Sequence, residues 1–210
     1  MTAIADAPIP SRRIEEGLLL AVFAASGAAA LIYQVCWQRL LFAAFGVDLE
    51  SITIVVSTFM LGLGCGALAG GALSRRYAQR LIELFVASEV GIGVFGVLSA
   101  SLIPAVGDRF VNQSLPVVAL VNYLLVLTPA TLMGATLPIL VAHLFQGSRN
   151  VGVSIGALYL ANTFGAALGA LATGFALFIV LTIDQTIYLA ASLNFLVALT
   201  TLVGLRRGTA

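Results

Sequence analysis

The residues of this sequence best suited to chemistry are a few polar side chains inside long apolar stretches. Glu89 is the clearest, since it lies about eight residues into the stretch 81–103, roughly 12 Å along a helix at about 1.5 Å per residue. A carboxylate at the centre of a membrane costs at least about 2.5–3.5 kcal/mol. Glu89 is therefore predicted to bind a cation or a proton, and the alternative is a carboxyl that only ties two helices together.

A second group of candidate residues stands at the end of the first apolar stretch, where the sequence reads "YQVCWQR". Tyr33 and Trp37 are four residues apart and share a helix face, and Gln34 is close to that face. Two rings and an amide could form an aromatic cup for an organic cation. The alternative is an interfacial aromatic belt, with Arg39 extending to the membrane surface.

The stretch "GALYLANTFGAALGALATGF" (156–175) supplies two further polar residues. Asn162 follows Tyr159 by three residues and precedes Gly165 by three, so these residues face roughly the same way. A buried asparagine needs a partner, either a ligand or a neighbouring helix. The predicted substrate-binding residues are Glu89, Asn162, Tyr159, Gln34, Tyr33 and Trp37, with Asn122, Tyr123 and Asn194 as further candidates.

Patterns typical of metal, cofactor or nucleophilic chemistry are not found in the sequence. His143 is the only histidine, and Cys36 and Cys65 lie in separate apolar runs, so we expect neither a metal site nor a disulfide. The chain has no paired carboxylates, no phosphate-binding glycine loop and no triad of nucleophile, base and orienting group. The sequence therefore predicts no cofactor and no enzyme activity in this chain.

The composition places the candidate residues inside a membrane. The chain is 60% hydrophobic and 9% charged, with a mean hydropathy of +1.09, whereas about a quarter of the residues in a soluble domain are charged. All ten basic residues are arginine and the net charge is +1, which excludes a broad basic surface for nucleic acid. The composition therefore predicts an integral membrane protein that contacts the lipid bilayer.

Six apolar stretches each approach the roughly 20 residues that cross about 30 Å of hydrocarbon. The predicted fold is all-α, with a six-helix membrane domain over 17–204 in which Pro129 and Pro138 bend the fourth helix. The expected helices span approximately 17–38, 51–73, 81–103, 116–143, 151–181 and 185–204.

The arginine positions predict the orientation. With the amino terminus in the cytoplasm, eight arginines lie inside and only Arg39 and Arg109 lie outside. We therefore expect a bacterial-type cytoplasmic (inner) membrane protein with both termini cytoplasmic, a disordered lead-in over 1–16 and a tail over 205–210. A cleaved signal peptide is the alternative for the first stretch, but the apolar run continues to Trp37, beyond the point where a signal peptide stops.

An internal repeat relates the two halves of the chain. An offset of 103 residues places "GLGCGALAGGAL" (62–73) on "GAALGALATGFA" (165–176) and maps the first three helices onto the last three. Three is an odd number, so the second copy is inverted, as in each six-helix half of a major facilitator transporter. The alternative is a chance match between two glycine-rich helices. The predicted helix-packing residues are Gly62, Gly66, Gly70, Gly165 and Gly169.

Four segments carry a resemblance to a known family: "ALIYQVCWQRLLFAAFG" (30–46), "FMLGLGCGALAGG" (59–71), "TPATLMGATLPILVAHL" (128–144) and "GALYLANTFGAALGALATGF" (156–175). Together they resemble the membrane domain of spermidine-synthase-like integral membrane proteins, which join a major-facilitator-like helical region to an aminopropyltransferase-like domain. Gln34 departs from that pattern, where an acidic residue is expected, and the chain ends at "RRGTA" without the catalytic domain. The resemblance therefore implies no aminopropyltransferase activity here.

Three functions remain open at this stage. The first is a half-size, major-facilitator-like transporter that works as an oligomer on a small organic cation, with a polyamine as the substrate that the resemblance implies. The second is a non-enzymatic membrane subunit that anchors a separate aminopropyltransferase-like or methyltransferase-like protein through "SRRYAQR", "QGSRN" or the "RR" tail. The third is an accessory subunit of a larger membrane complex.

Overall fold

The structure is a computed structural model that describes residues 10–45, 49–110, 112–145 and 151–206. Within these ranges all regular structure is helical and no strand occurs. Six of the helices are long and apolar enough to cross a membrane, which confirms the predicted all-α, multi-pass architecture. They are α1 (Pro10–Phe45), α2 (Leu49–Arg76), α3 (Leu81–Phe110), α4 (Leu115–Phe145), α5 (Val151–Ala172) and α6 (Ile183–Arg206).

The first helix extends well beyond its apolar stretch. It begins at Pro10, where a proline is tolerated because the first turn needs no backbone donor. Residues 10–16, part of the predicted disordered lead-in over 1–16, are therefore helical, and the prediction is wrong for them. The rest of the lead-in, the "QGSRN" link at 146–150 and the tail at 207–210 lie outside the described residues.

The junction between the fifth and sixth membrane spans has a clear local cause. After Ala172 the fifth span continues as a π-helical turn (Thr173–Leu177) and a last turn (Phe178–Val180), and Leu181 is extended. Thr182 and Gln185 then exchange hydrogen bonds of 3.0 and 3.2 Å between side chains and backbone N–H groups. This reciprocal pair is a capping box, which satisfies two backbone donors and fixes the start of α6.

Glycines bring two pairs of helices into close backbone contact. A Cβ at Gly66 of α2 would meet the Thr131 carbonyl of α4, and one at Gly165 of α5 would meet the Ala24 carbonyl of α1. Small residues in membrane helices permit such approach. The other three glycines with a predicted packing role also lie against backbone atoms of these helices, Gly62 and Gly70 on α4 and Gly169 on α1.

The core consists of two buried clusters at opposite ends of the bundle. One surrounds Trp37 and includes Phe59 and Ile103, and the other, which we call the Phe85 cluster, includes Leu19, Phe23, Phe85 and Leu140. On α3 Glu89 lies between Phe85 of the second cluster and Ile92 of the first. The packing of the six helices therefore places the carboxyl in the interior.

Candidate functional site

The centre of the candidate site is the carboxyl of Glu89, which is fully buried. Ser26 Oγ of α1 donates a hydrogen bond of 2.6 Å to Glu89 Oε1. Asn194 Nδ2 of α6 donates one of 2.7 Å to Glu89 Oε2. These three residues form what we call the Glu89 centre, in which each carboxyl oxygen accepts a hydrogen bond from a different helix.

The register of α1 against α3 explains why Ser26 meets Glu89. Ser26 of α1 is hydrogen-bonded to Glu89 of α3, and Trp37 of α1 to Ser99 of α3. The sequence separations of these two pairs, 63 and 62 residues, are nearly equal, so the two helices run parallel. On α3 the buried residues recur at three- and four-residue intervals through Glu89, Ile92, Gly96 and Ser99, which is the period of one helix face. Glu89 therefore belongs to the face that packs inward.

The aromatic pair on α1 lies in the interior as well. Trp37 Nε1 donates a hydrogen bond of 2.8 Å to Ser99 Oγ, and the Tyr33 ring stacks on Trp37 with centroids 4.9 Å apart. Phe95 packs edge-on against Trp37 at 5.5 Å. Both α1 rings are fully buried, so they do not form an aromatic belt at the membrane surface.

One feature of this pair and one contact next to it on α1 are relevant to ligand chemistry. The Tyr33 hydroxyl lies against Gly96 and has no hydrogen-bond partner among the described residues. Arg39 lies over the ring of Phe178 at 4.2 Å, a cation–π contact that links α1 to the end of the fifth membrane span.

The remaining predicted residues do not converge on the Glu89 centre. Asn162 of α5 packs against Gly27 of α1, and the half-buried Gln34 follows Gly27 by seven residues on the same α1 face. Tyr159 is 60% exposed on the outer surface of the bundle. The structure thus brings together Glu89, Tyr33 and Trp37 along α1 and α3, and separates Asn162, Gln34 and Tyr159 from them.

Sequence reasoning missed several members of the site. The sequence predicts Asn194 only as a further candidate and does not predict Ser26 or Ser99. Of the other further candidates, Tyr123 is half-buried, and the side chain of Asn122 lies outside the described residues.

The Trp37–Ser99 hydrogen bond should contribute measurably to stability. Trp37→Phe removes the donor but keeps a ring, so we expect a loss of roughly 0.5–1.5 kcal/mol in the free energy of unfolding. Thermal unfolding of wild type, the two single variants and the double variant with Ser99→Ala measures the coupling. Ser101→Ala, which changes an exposed serine on α3, the helix of Ser99, is the matched control. Strictly additive losses for Trp37→Phe and Ser99→Ala would contradict the contact.

A second polar feature is a cavity at the end of the bundle where α1 and α3 begin. Its volume is about 590 Å³, and we call it the Glu15–His143 cavity. His143 Nε2 lies 3.2 Å from Glu15 Oε1, and Arg80 Nε lies 3.9 Å from Glu83 Oε2. The lining includes Glu15, Arg80, Glu83, His143, Leu202 and Leu205. In the described part of the chain, no group of three or more His, Cys, Asp or Glu residues could hold a metal ion.

In the residues that the structure describes, fold and site define an all-helical protein with six helices able to cross a membrane and a buried carboxyl held between three of them. The chain is 28% identical over 198 residues to the polyamine aminopropyltransferase of Corynebacterium efficiens, covering 92% of this chain and 36% of that protein. It is 29% identical over 169 residues to the polyamine aminopropyltransferase of Mycobacterium tuberculosis, covering 76% of this chain and 30% of that protein.

The alignments cover most of this chain but only part of each relative. The chain spans about a third of the length of the curated relatives that it matches, 36% and 30% in the two cases. No protein-family description matches the chain, and no solved structure matches it. A distant relationship to polyamine aminopropyltransferases, as the resemblance implies, is therefore found over most of the chain.

The prediction that the chain is not an enzyme is overturned by the same comparison. The relatives that it matches over most of its length are named as aminopropyltransferases, which points to an enzyme family. The prediction rests on the absence of catalytic motifs from this chain, yet the alignments reach only about a third of each relative. The absence of catalytic motifs from the aligned third of a relative does not exclude catalytic residues in the rest of that relative.

Proposed function

We propose that the chain is the membrane-spanning part of a polyamine aminopropyltransferase-like protein and that it binds a small organic cation of the polyamine class at the Glu89 centre. The single observation that carries the proposal is the fully buried Glu89 carboxyl, held by Ser26 and Asn194 between α1, α3 and α6. The similarity to proteins named for polyamine chemistry gives the class of cation.

Charge complementarity is the physical basis of this assignment. An aliphatic ammonium stays protonated at neutral pH, as lysine does with an ordinary pKa of about 10.4. A buried carboxylate is costly without a counter-charge, and organic cations supply one. Ser26 and Asn194 orient the carboxyl, and the aromatic pair Tyr33 and Trp37 lies further along the same side of α1.

The pattern of close contacts supports an inverted repeat like that in half of a major facilitator transporter. The 103-residue offset exchanges α1 with α4 and α2 with α5, and it carries Gly66 to Gly169 and Ala28 to Thr131. Gly66 packs on Thr131, and Gly169 packs on Ala28, so one contact maps onto the other. Half of such a carrier has six helices, and we extend the proposal to pairing with a second copy and to movement of the cation across the membrane.

The charge distribution supports an orientation. Arg75, Arg76 and Arg80 lie at the end of the bundle that holds the Glu15–His143 cavity, whereas Arg39 and Arg109 lie near the opposite ends of α1 and α3. By the positive-inside rule, we propose that the cavity faces the cytoplasmic side of a bacterial-type inner membrane.

Binding of a linear amine to the purified protein tests the proposed function. In lipid nanodiscs, radiolabelled spermidine should bind to the wild type, and Glu89→Gln should weaken binding by at least about tenfold because the counter-charge is lost. Asp108→Asn, an exposed carboxyl on the same helix, is the matched control and should bind as the wild type does. Equal binding by wild type and Glu89→Gln would contradict the proposal.

A further inference from the structure

One face of α6 joins the Glu15–His143 cavity to the Glu89 centre. Asn194, Thr201 and Leu205 follow one another at intervals of seven and four residues and so share that face. Asn194 donates to Glu89, and Leu205 lines the cavity. Thr201 lies between them, fully buried, and its hydroxyl has no partner among the described residues. A buried hydroxyl without a partner marks a place where a polar ligand or water can be accommodated.

Two phenylalanine rings occupy the level between the cavity and the Glu89 centre. Phe85 stands one turn before Glu89 on α3, and Phe23 stands three residues before Ser26 on α1. The rings meet edge to face, with centroids 6.5 Å apart, and both are fully buried. They belong to the Phe85 cluster together with Leu205, which also lines the cavity. The pair therefore lies buried between the two polar regions.

The lining of the cavity suits an aliphatic amine. Carboxylates from two helices, Glu15 of α1 and Glu83 of α3, stand at its edge, and Leu202 and Leu205 offer an apolar wall to methylene groups. Its volume of about 590 Å³ falls within the range of small-molecule sites, about 300–1,000 Å³. The side chains that now face these carboxylates, His143 and Arg80, form partly exposed pairs with them, and such pairs contribute little and can be displaced.

We infer that the Glu15–His143 cavity is the access site through which an aliphatic ammonium reaches Glu89, along the Thr201 face of α6, with the Phe23–Phe85 pair as the closure of that passage. This inference rests on the proposed function, since it assigns the route and the gate of the same cation. It adds a binding site at the bundle end and gives roles to Thr201, Phe23 and Phe85.

Cysteine accessibility tests the passage directly. In full-length protein with Cys36→Ala and Cys65→Ser, we expect Thr201→Cys to react slowly with a methanethiosulfonate ethylammonium reagent. Adding Phe85→Ala should raise that rate at least about tenfold, because the closure is removed. The matched control is Ala190→Cys, one turn beyond Asn194 on the same buried face, whose rate should stay low in both backgrounds.

The outcomes separate this inference from the proposed function. An unchanged Thr201→Cys rate, or acceleration at Ala190→Cys instead, would overturn the passage even if spermidine binding still requires Glu89. Accelerated Thr201→Cys labelling without any Glu89-dependent spermidine binding would support the passage and contradict the proposed function. Phe85→Leu and Phe23→Leu, which keep more apolar volume, repeat the measurement if Phe85→Ala fails to fold.

Discussion

A leucine at Gly165 should prevent α5 from packing on α1. Even a Cβ at this position would meet the carbonyl of Ala24, which is backbone and cannot rotate away. The same holds for Gly66 of α2 against the Thr131 carbonyl of α4. Because the helices must separate to admit the side chain, we expect each leucine variant to lose about 3 kcal/mol of unfolding free energy, at the upper end of the usual cost of overpacking.

Two other glycines on the same helices provide the matched controls. A Cβ added at Gly156 of α5 or at Gly64 of α2 would have no described heavy atom of a neighbouring element within 4 Å, so leucine there should be tolerated. Yield of monodisperse protein and thermal unfolding in detergent give the comparison. If Gly156→Leu were as damaging as Gly165→Leu, helix propensity or insertion would explain the loss, and close packing would not.

The six helices were predictable because hydropathy directly reports which segments can lie in hydrocarbon. The exact ends of the helices were less predictable from hydropathy. The apolar part of α1 begins near Gly17, but the backbone continues as helix back to Pro10, since arginine and glutamate are good helix formers outside the membrane. Local sequence also does not reveal the π-helical turn at Thr173–Leu177.

The site was predictable only where one residue carries its own signal. Glu89 stands out because a carboxyl in a membrane segment is costly. Its partners Ser26 and Asn194 are ordinary residues in membrane helices, and only the register of α1 and α6 against α3 brings them to the carboxyl. The shared face of Tyr33 and Trp37 follows from their spacing, but helix periodicity does not say whether that face meets lipid or protein.

The cavity was beyond sequence reasoning for a related reason. Glu15, Arg80 and His143 come from α1, the turn before α3 and the end of α4. Each reads in sequence as a polar residue at a helix boundary, where charges are common. Only the packing of the helix ends brings them around one space.

Removing the Glu89 side chain should destabilise the bundle far more than neutralising it. Glu89→Ala leaves the Ser26 hydroxyl and the Asn194 amide without their acceptor and opens a cavity between three helices, at an expected cost of about 3–5 kcal/mol. Glu89→Gln keeps the volume, and its amide can accept from Asn194 and donate to the Ser26 oxygen, so we expect a loss of only about 1 kcal/mol. The fluorescence of Trp37, the single tryptophan, reports unfolding in both variants. Glu83→Ala, which removes an exposed carboxylate on the same helix, serves as the control and should unfold as the wild type does.

The two variants also separate the roles of the charge and of the hydrogen bonds. A Glu89→Gln variant that folds normally yet no longer binds spermidine would assign the negative charge to ligand binding and the hydrogen bonds with Ser26 and Asn194 to helix packing. If Glu89→Gln were instead as unstable as Glu89→Ala, the charge itself would hold the helices together, and a loss of binding in that variant could not be attributed to a lost ligand contact.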